Sequence, residues 1–198
     1  MAKFYFYYSS MNAGKSTTLL QADFNYRERG METMLWTAAL DNRYEAGVVT
    51  SRIGLQAEAH KFAPETDMWA EITTEHNKRP LACVLVDEAQ FLSKQQVFNL
   101  ARLTDEAKIP VLCYGLRTDF AGELFAGSAA LLGLADNLIE LKAVCHCGRK
   151  STMSLRIDVH GKAVIDGAQT EIGSNDRYVA MCRKHFMEAR AYSCYLVE

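Results

Sequence analysis

The sequence predicts an α/β fold in which a parallel sheet is covered by helices on both faces and is followed by a small second unit. Three observations predict it. Short, near-continuous apolar runs alternate with segments of helical periodicity, the pattern of a sheet buried on both faces. A turn of small residues, Ser9 to Gly14, joins the first run to the first helix. After about residue 143 helical patterning gives way to Cys145-His146-Cys147-Gly148 and a glycine-punctuated stretch reaching Arg177.

Taken in order, Lys3 to Tyr8 is aromatic and β-favouring, and from Lys15 the spacing of Leu19, Leu20, Ala22, Asp23 and Tyr26 is helical until Arg29-Gly30. A second strand is expected at Thr33 to Ala38 and a helix at Asp67 to Asn77. The run Ala82-Cys83-Val84-Leu85-Val86 reads as a fully buried strand. Ser93 is placed to cap a helix running to Lys108, and Ile109-Pro110 then delivers a fourth strand, Val111 to Tyr114. A boundary near Ala143 divides residues 1–143 from 144–198, where Thr152 to Ile157 is β-like and Gly161, Gly167 and Gly173 mark turns rather than a repeat.

Composition narrows the classes. The chain has 198 residues, 49% of them hydrophobic, a net charge of -2, 12 Gly, 3 Pro and 6 Cys. That length suits one domain, or one plus an appendage, and buries roughly 70% of the unfolded surface. High apolar content with balanced charge excludes disorder, collagen and coiled coil, and gives no general attraction to nucleic acid or anionic membrane. No apolar run approaches the ~18 residues of a membrane span, and the start Met1-Ala2-Lys3-Phe4 is unlike a signal peptide. A cytoplasmic location is expected, where cysteines serve as thiols or metal ligands.

Four motifs carry chemistry. Ser9-Ser10-Met11-Asn12-Ala13-Gly14-Lys15-Ser16 matches the phosphate-binding pattern G-x-x-x-x-G-K-[ST] except that Ser9 replaces the first glycine. Such a turn offers backbone N–H groups at a helix N-terminus, a lysine for the terminal phosphates and a hydroxyl for Mg²⁺. Val84-Leu85-Val86-Asp87-Glu88-Ala89-Gln90-Phe91 is an apolar strand ending in two acids. Asp87 can serve Mg²⁺, while Glu88, pointing elsewhere, can act as a general base. Two acids after a strand are by themselves an ordinary solvated loop, but downstream of a P-loop they are informative. Cys145-x-Cys147 and Cys182-x-x-His185 offer four ligands for a closed, structural, tetrahedral Zn²⁺ site, with His146 as rival ligand. Gly173-Ser174-Asn175-Asp176-Arg177-Tyr178 ends in a tyrosine that either packs beside the metal or binds a sugar hydroxyl. Cys83 and Cys113 read as packing residues, Cys194 is unassigned, and His60, His76 and His160 read as solvated surface.

In combination these motifs resemble the zinc-containing, cellular-type (type II) thymidine kinases, the bacterial members above all. The resemblance runs in order through Ala13-Gly14-Lys15-Ser16, Asp41-Asn42-Arg43-Tyr44, Asp87 to Phe91 and Gly173 to Phe186. Gly173, Asp176, Tyr178, Cys182 and His185 at fixed offsets are its most specific part. It implies a P-loop NTPase-like parallel sheet plus a small zinc-binding domain carrying a lasso loop, over about residues 156–177, that covers the nucleoside and holds the thymine ring mainly through its backbone. It further implies transfer of the γ-phosphoryl of ATP to the 5′-hydroxyl of thymidine. Glu88 would be the base, residues Ser9 to Ser16 with Asp87 to Gln90 would bind ATP, and Ser16 and Asp87 would serve Mg²⁺. Met11, Phe91, Leu116, Phe120 and Phe125 would wall the base, Ser154 would lie at its edge, and Tyr178 would contact the nucleoside. Asp41 and Arg43 would stand near the transferring phosphate, and Zn²⁺ would be held by Cys145, Cys147, Cys182 and His185. Thymidine triphosphate as feedback inhibitor and a homotetramer are also implied. Two departures from the family pattern are Ser9 at the first Walker glycine and a Cys-x-Cys in place of Cys-x-x-Cys.

A P-loop ATPase with a nucleic-acid-binding zinc module and a noncatalytic zinc-stabilised binding domain are the competing readings. Residues 145–198 hold eight Lys/Arg against six Asp/Glu, too small an excess for a basic stripe, so no nucleic-acid partner is expected. The third reading leaves the paired phosphate and acid motifs unexplained.

Overall fold

The computed structural model describes residues 2–40, 47–170 and 177–192. The first part of the chain forms β1 (Phe4–Ser9), α1 (Lys15–Arg27), β2 (Glu32–Ala38), β3 (Val48–Thr50), β4 (Gln56–Glu58), β5 (His60–Phe62), α2 (Met68–Lys78) and β6 (Leu81–Val86). It continues through α3 (Lys94–Arg102), β7 (Val111–Leu116), α4 (Ala126–Leu134) and β8 (Asn137–Glu140). Four short strands and a helix follow: β9 (Ala143–Val144), β10 (Lys150–Ser151), β11 (Met153–Arg156), β12 (Tyr178–Met181) and α5 (Arg183–Tyr192).

Six strands pair in the order β5-β2-β6-β7-β1-β8, every pair parallel. Alternation along each strand supplies two cores. On β6, Val84 and Val86 face a cluster with Met68 and Ile72 of α2, Val97 and Leu100 of α3 and Leu131 of α4. Cys83 and Leu85 face the opposite side, where Leu19 and Leu20 of α1 and Val49 of β3 cover the sheet. The predicted parallel sheet with helices on both faces is therefore present. Cys83 and Cys113 are packing residues, as expected, and burial pushes the Cys83 thiol up to about 12.

The ends of the helices follow local chemistry. Asp67 caps α2 by accepting from the Ala70 N–H at 3.1 Å. Ser93 and Gln96 form a reciprocal capping box on α3, at 3.2 and 2.9 Å, so the predicted cap is in place. The helix expected to reach Lys108 instead widens into one π turn, Leu103–Ala107. There the Thr104 hydroxyl bonds the Ala101 carbonyl at 2.7 Å, a competitor to the regular ladder.

Elements not anticipated are short or uniformly apolar. The β3–β4 hairpin and β5 have three residues each, too few to show a period. Helix α4, Ala-Gly-Ser-Ala-Ala-Leu-Leu-Gly-Leu, has no charged face to set against a buried one. Beyond the sheet, β9 pairs with β10 and β11 with β12, all antiparallel. A third cluster there unites Cys145, Met153, Leu155, Met181, Cys182 and Phe186.

Candidate active site and metal centre

A cavity of about 350 Å³ opens beyond the carboxyl ends of β1, β6 and β7, where parallel sheets receive ligands. Its floor is the turn after β1. Gly14, with φ 78°, ends the turn in left-handed backbone that glycine adopts without strain, and α1 begins at Lys15. The Lys15 ammonium donates to Ser9 Oγ and to the Ser10 carbonyl, both at 3.1 Å. Ser9 thus does more than fit where glycine is usual: its hydroxyl, which donates to the Ser10 carbonyl at 2.7 Å, helps hold the lysine. Ser16 donates to Asp87 Oδ2 at 2.8 Å, joining the start of α1 to the end of β6.

Asp87 is buried, and the Glu88 N–H donates to its Oδ1 at 3.0 Å. Burial, followed by the neighbouring Glu88 charge, pushes its carboxyl up to about 7, against the Ser16 hydroxyl, the Glu88 N–H and Lys15. Glu88 itself has φ 51° and ψ 36°, left-handed backbone in a residue that has a side chain. Such strain, of order 1–3 kcal/mol, persists where surroundings impose it, often at functional sites. Gln90, buried beneath it, donates from Nε2 to Glu88 Oε2 at 2.5 Å and accepts the Leu116 N–H at 3.0 Å. The Glu88 carboxylate is therefore tied through Gln90 to β7.

Apolar walls complete the cavity: Met11, Phe91, Leu116, Phe120 and Phe125 all line it, Phe91 and Phe125 meeting edge-on at 5.8 Å. Ser154 is buried on β11 and accepts the Met11 N–H at 2.9 Å, and Ser10 Oγ lies 3.1 Å from Ser151 Oγ. The phosphate-type turn is thereby fastened to the strands that follow residue 143. Tyr178 opens β12 and also reaches the cavity, as do Asn12, Ala13, Gly14, Lys15, Ser16, Asp87, Glu88 and Gln90. Ser9, Ser10 and Ala89 stand behind this lining. Asp41, Arg43, Gly173, Asp176 and Cys194 lie outside the described residues.

Gln169 and Thr170, inside the expected lasso loop, line the cavity as well, and sequence reasoning missed Thr17, Thr37, Leu40, residues 48–53, Thr118 and Asp119, which also line it. For residues 48–53 a signal existed, the β-branched Val48-Val49-Thr50 run with Gly54 after it. For the others none did, since each is a lone residue near the end of an element or in a loop.

The second cluster is Cys145, Cys147, Cys182 and His185, whose ligand atoms all lie within 4.8 Å of one another. Cys145 Sγ and Cys182 Sγ are 3.4 and 3.6 Å from His185 Nδ1, and the sulfurs of Cys147 and Cys182 are 4.0 Å apart. Bond lengths of about 2.0–2.3 Å to a tetrahedral Zn²⁺ put ligand atoms roughly 3.5–3.8 Å apart, so these residues fit the metal. A tight turn at Cys145 to Arg149, with Gly148 at φ 76°, presents the first two cysteines, and the start of α5 presents the others. Burial raises the Cys145 thiol, but His185 and the Cys147 and Cys182 N–H groups outweigh it and lower the thiol to about 6. His146 stacks on His185 with ring centres 4.4 Å apart and is outside the group of four. No helix among the described residues is long and apolar enough to cross a membrane.

Comparison with known proteins agrees with this geometry. The chain is 71% identical over 189 residues to a thymidine kinase of Novosphingobium aromaticivorans, covering 96% of this chain and 98% of that protein. It is 63% identical over 188 residues to a thymidine kinase of Zymomonas mobilis, covering 95% and 97%. A thymidine kinase of Vibrio parahaemolyticus is 60% identical over 189 residues, with 96% and 98% covered. Among solved structures, the Pif1 helicase from Candida albicans overlays 71% of this chain and 36% of its own at TM-score 0.42 and 14% identity, too slight a likeness to build on. The profile of the thymidine kinase family matches residues 2–186, and the chain belongs to that family.

Proposed function

We propose that the protein transfers the γ-phosphoryl of ATP to the 5′-hydroxyl of thymidine, giving dTMP and ADP. The observation that carries this reading is the convergence on one cavity of the Lys15–Ser16 turn, Asp87 and Glu88 with a wall of aromatic and aliphatic side chains. A wholly polar cleft would suit ATP hydrolysis; an apolar compartment beside the acids suits a flat base.

In this reading the backbone of Ser9 to Ser16 cradles the ATP phosphates, and Lys15 leaves Ser9 and Ser10 to meet the terminal ones. Ser16 and Asp87 would hold Mg²⁺, which when bound neutralises charge on the transferring group. Asp87 to Gln90 complete the ATP-binding set, Gln90 from the cavity lining and Ala89 from behind it. Glu88, held by Gln90, takes the proton of the acceptor hydroxyl. Met11, Phe91, Leu116, Phe120 and Phe125 enclose the thymine, Ser154 lies at its edge and Tyr178 meets the nucleoside, while Asp41 and Arg43 are assigned near the transferring phosphate. Excluding water and fixing an in-line geometry then supply most of the rate.

Residues 1–143 form the ATP-binding unit and 144–198 the zinc-binding unit with a lasso loop over about 156–177. Zn²⁺ on Cys145, Cys147, Cys182 and His185 staples a segment whose own core is small. Family membership is what supports dTTP as feedback inhibitor, a homotetramer and a cytoplasmic location.

The test is ADP release from Mg·ATP with thymidine, deoxyuridine, deoxycytidine or single-stranded DNA as second component. Release that requires a pyrimidine nucleoside, thymidine foremost, is expected. Release stimulated by DNA and indifferent to nucleosides would replace this reading with a nucleic-acid-dependent ATPase.

A further inference from the structure

Arg156 ends β11 with its side chain inside the protein, 4% exposed, and it does not line the cavity. A buried guanidinium is costly unless its donors are used and its face is covered. Here Nη1 donates to the Ala168 carbonyl at 3.1 Å and Nη2 to the Asp166 carbonyl at 3.3 Å. The guanidinium carbon lies 3.7 Å from the centre of the Phe120 ring, a stacked cation–π contact.

Phe120 and the segment that the guanidinium fork holds both lead to one end of the cavity. Phe120 lines it, and the Phe120 carbonyl accepts from Arg190 of α5 at 3.2 Å. The helix thus anchors the backbone of Phe120 while Arg156 sets its ring. On the other side the fork pins residues 166–168, and the chain passes directly into Gln169 and Thr170, which line the cavity. Gln169 donates to Asp119 Oδ2 at 2.9 Å, and Asp119 Oδ1 accepts the N–H groups of Ala121 and Glu123 at 2.8 and 2.9 Å. Wall and covering limb therefore meet on one loop, 119–123. Gly167 has φ 138°, backbone that favours glycine, and a Cβ there would lie 2.4 Å from Arg156 Nη2, so the guanidinium would have to shift.

We propose that Arg156 is a positioning residue for the nucleoside. One guanidinium sets the Phe120 face and the 166–170 limb together, so affinity for the base depends on a side chain the base never touches. The inference rests on the nucleoside reading of this cavity. Charge alone is insufficient for the role, because lysine has neither the two-pronged donor nor the planar face.

The test compares wild type with Arg156→Lys and Gly167→Ala, the second of which disturbs the same contact from the loop side. Metal content and thermal melting establish that each variant is folded. Each variant is expected to raise the thymidine KM roughly tenfold while kcat and the ATP KM stay within about twofold. The double variant is expected to raise it little further, because both changes break one contact. An unchanged thymidine KM in a folded variant overturns the inference, and so does an equal loss in kcat or ATP KM, the mark of general loosening. If Arg156→Lys does not fold, Gly167→Ala decides by the same criteria. Wild type that turns over no nucleoside overturns the functional reading and this inference with it; wild-type turnover with unmoved variants overturns the inference alone.

Discussion

Gly127, near the start of α4, stands so close to the turn bearing Glu88 that a methyl group there would lie 2.6 Å from the Ala89 carbonyl oxygen, 2.7 Å from that of Leu92 and 2.8 Å from that of Gln90. All three are backbone atoms, so no side-chain rotation relieves the clash. Restoring ordinary contact requires a retreat of about 0.6–0.8 Å, and either α4 or the 89–92 turn must make it. If α4 retreats, overpacking costs about 1–3 kcal/mol, or roughly 2–12 °C in Tm for a chain of this size. If the turn moves, it carries Gln90 and Glu88 with it, and displacement approaching 1 Å costs turnover about 10²-fold. Gly127→Ala is therefore expected to lower Tm and to reduce kcat at least about tenfold, with the ATP KM little changed. Thymidine-dependent ADP release at 25 °C and a thermal melt read both effects. Gly133→Ala is the control, since a methyl at that position of the same helix meets nothing within 4 Å. It is expected to leave kcat unchanged and to gain about 0.5–1 kcal/mol in stability. Wild-type kcat and Tm in Gly127→Ala, or equal losses in the control, would refute the reasoning.

Asp87→Asn tests the buried acid. With its carboxyl raised to about 7 by burial and by Glu88, Asp87 binds a proton in the ligand-free fold that the unfolded chain, titrating near 3.9, has released. Stability of the ligand-free protein contributed by this group is thus greatest at low pH and declines as pH rises from about 4 to about 7. Asp87→Asn is expected to melt a few degrees above wild type at pH 8, with the advantage shrinking towards pH 5, while phosphoryl transfer falls about 10²-fold or more. No gain at pH 8 would contradict the assigned cause. Cys182→Ser is expected to reduce bound zinc well below one per chain and to lower Tm; unchanged stoichiometry would remove Cys182 from the ligand set.

What the sequence made legible were features with a fixed spacing. The turn from Ser9 to Ser16 and the acids after Val86 are recognisable because phosphate chemistry demands those residue types at those intervals, and they meet in the Ser16–Asp87 bond. The four residues of the metal cluster were legible for the same reason, two short pairs of soft ligands that the fold brings within 4.8 Å. Contacts that depend on tertiary approach were not. Gln90 is assigned to ATP binding by resemblance, but its bracing of Glu88 against β7 appears only in the pairing of its amide with Glu88 and Leu116. Arg156 and Phe120 are 36 positions apart with nothing local to join them. The β3–β4 hairpin was lost because three-residue strands show no periodicity, although it supplies one side of the cavity.

The chemistry itself is tested most directly by measuring dTMP and ADP together, from Mg·ATP and thymidine, with wild type and with Glu88→Gln. Wild type is expected to form one dTMP for each ADP and neither without thymidine, whereas Glu88→Gln is expected to lose about 10²–10⁴-fold in rate while binding ATP nearly as well. Near-normal transfer by Glu88→Gln would contradict the role of Glu88 as base, and ADP formed without dTMP would contradict the reaction.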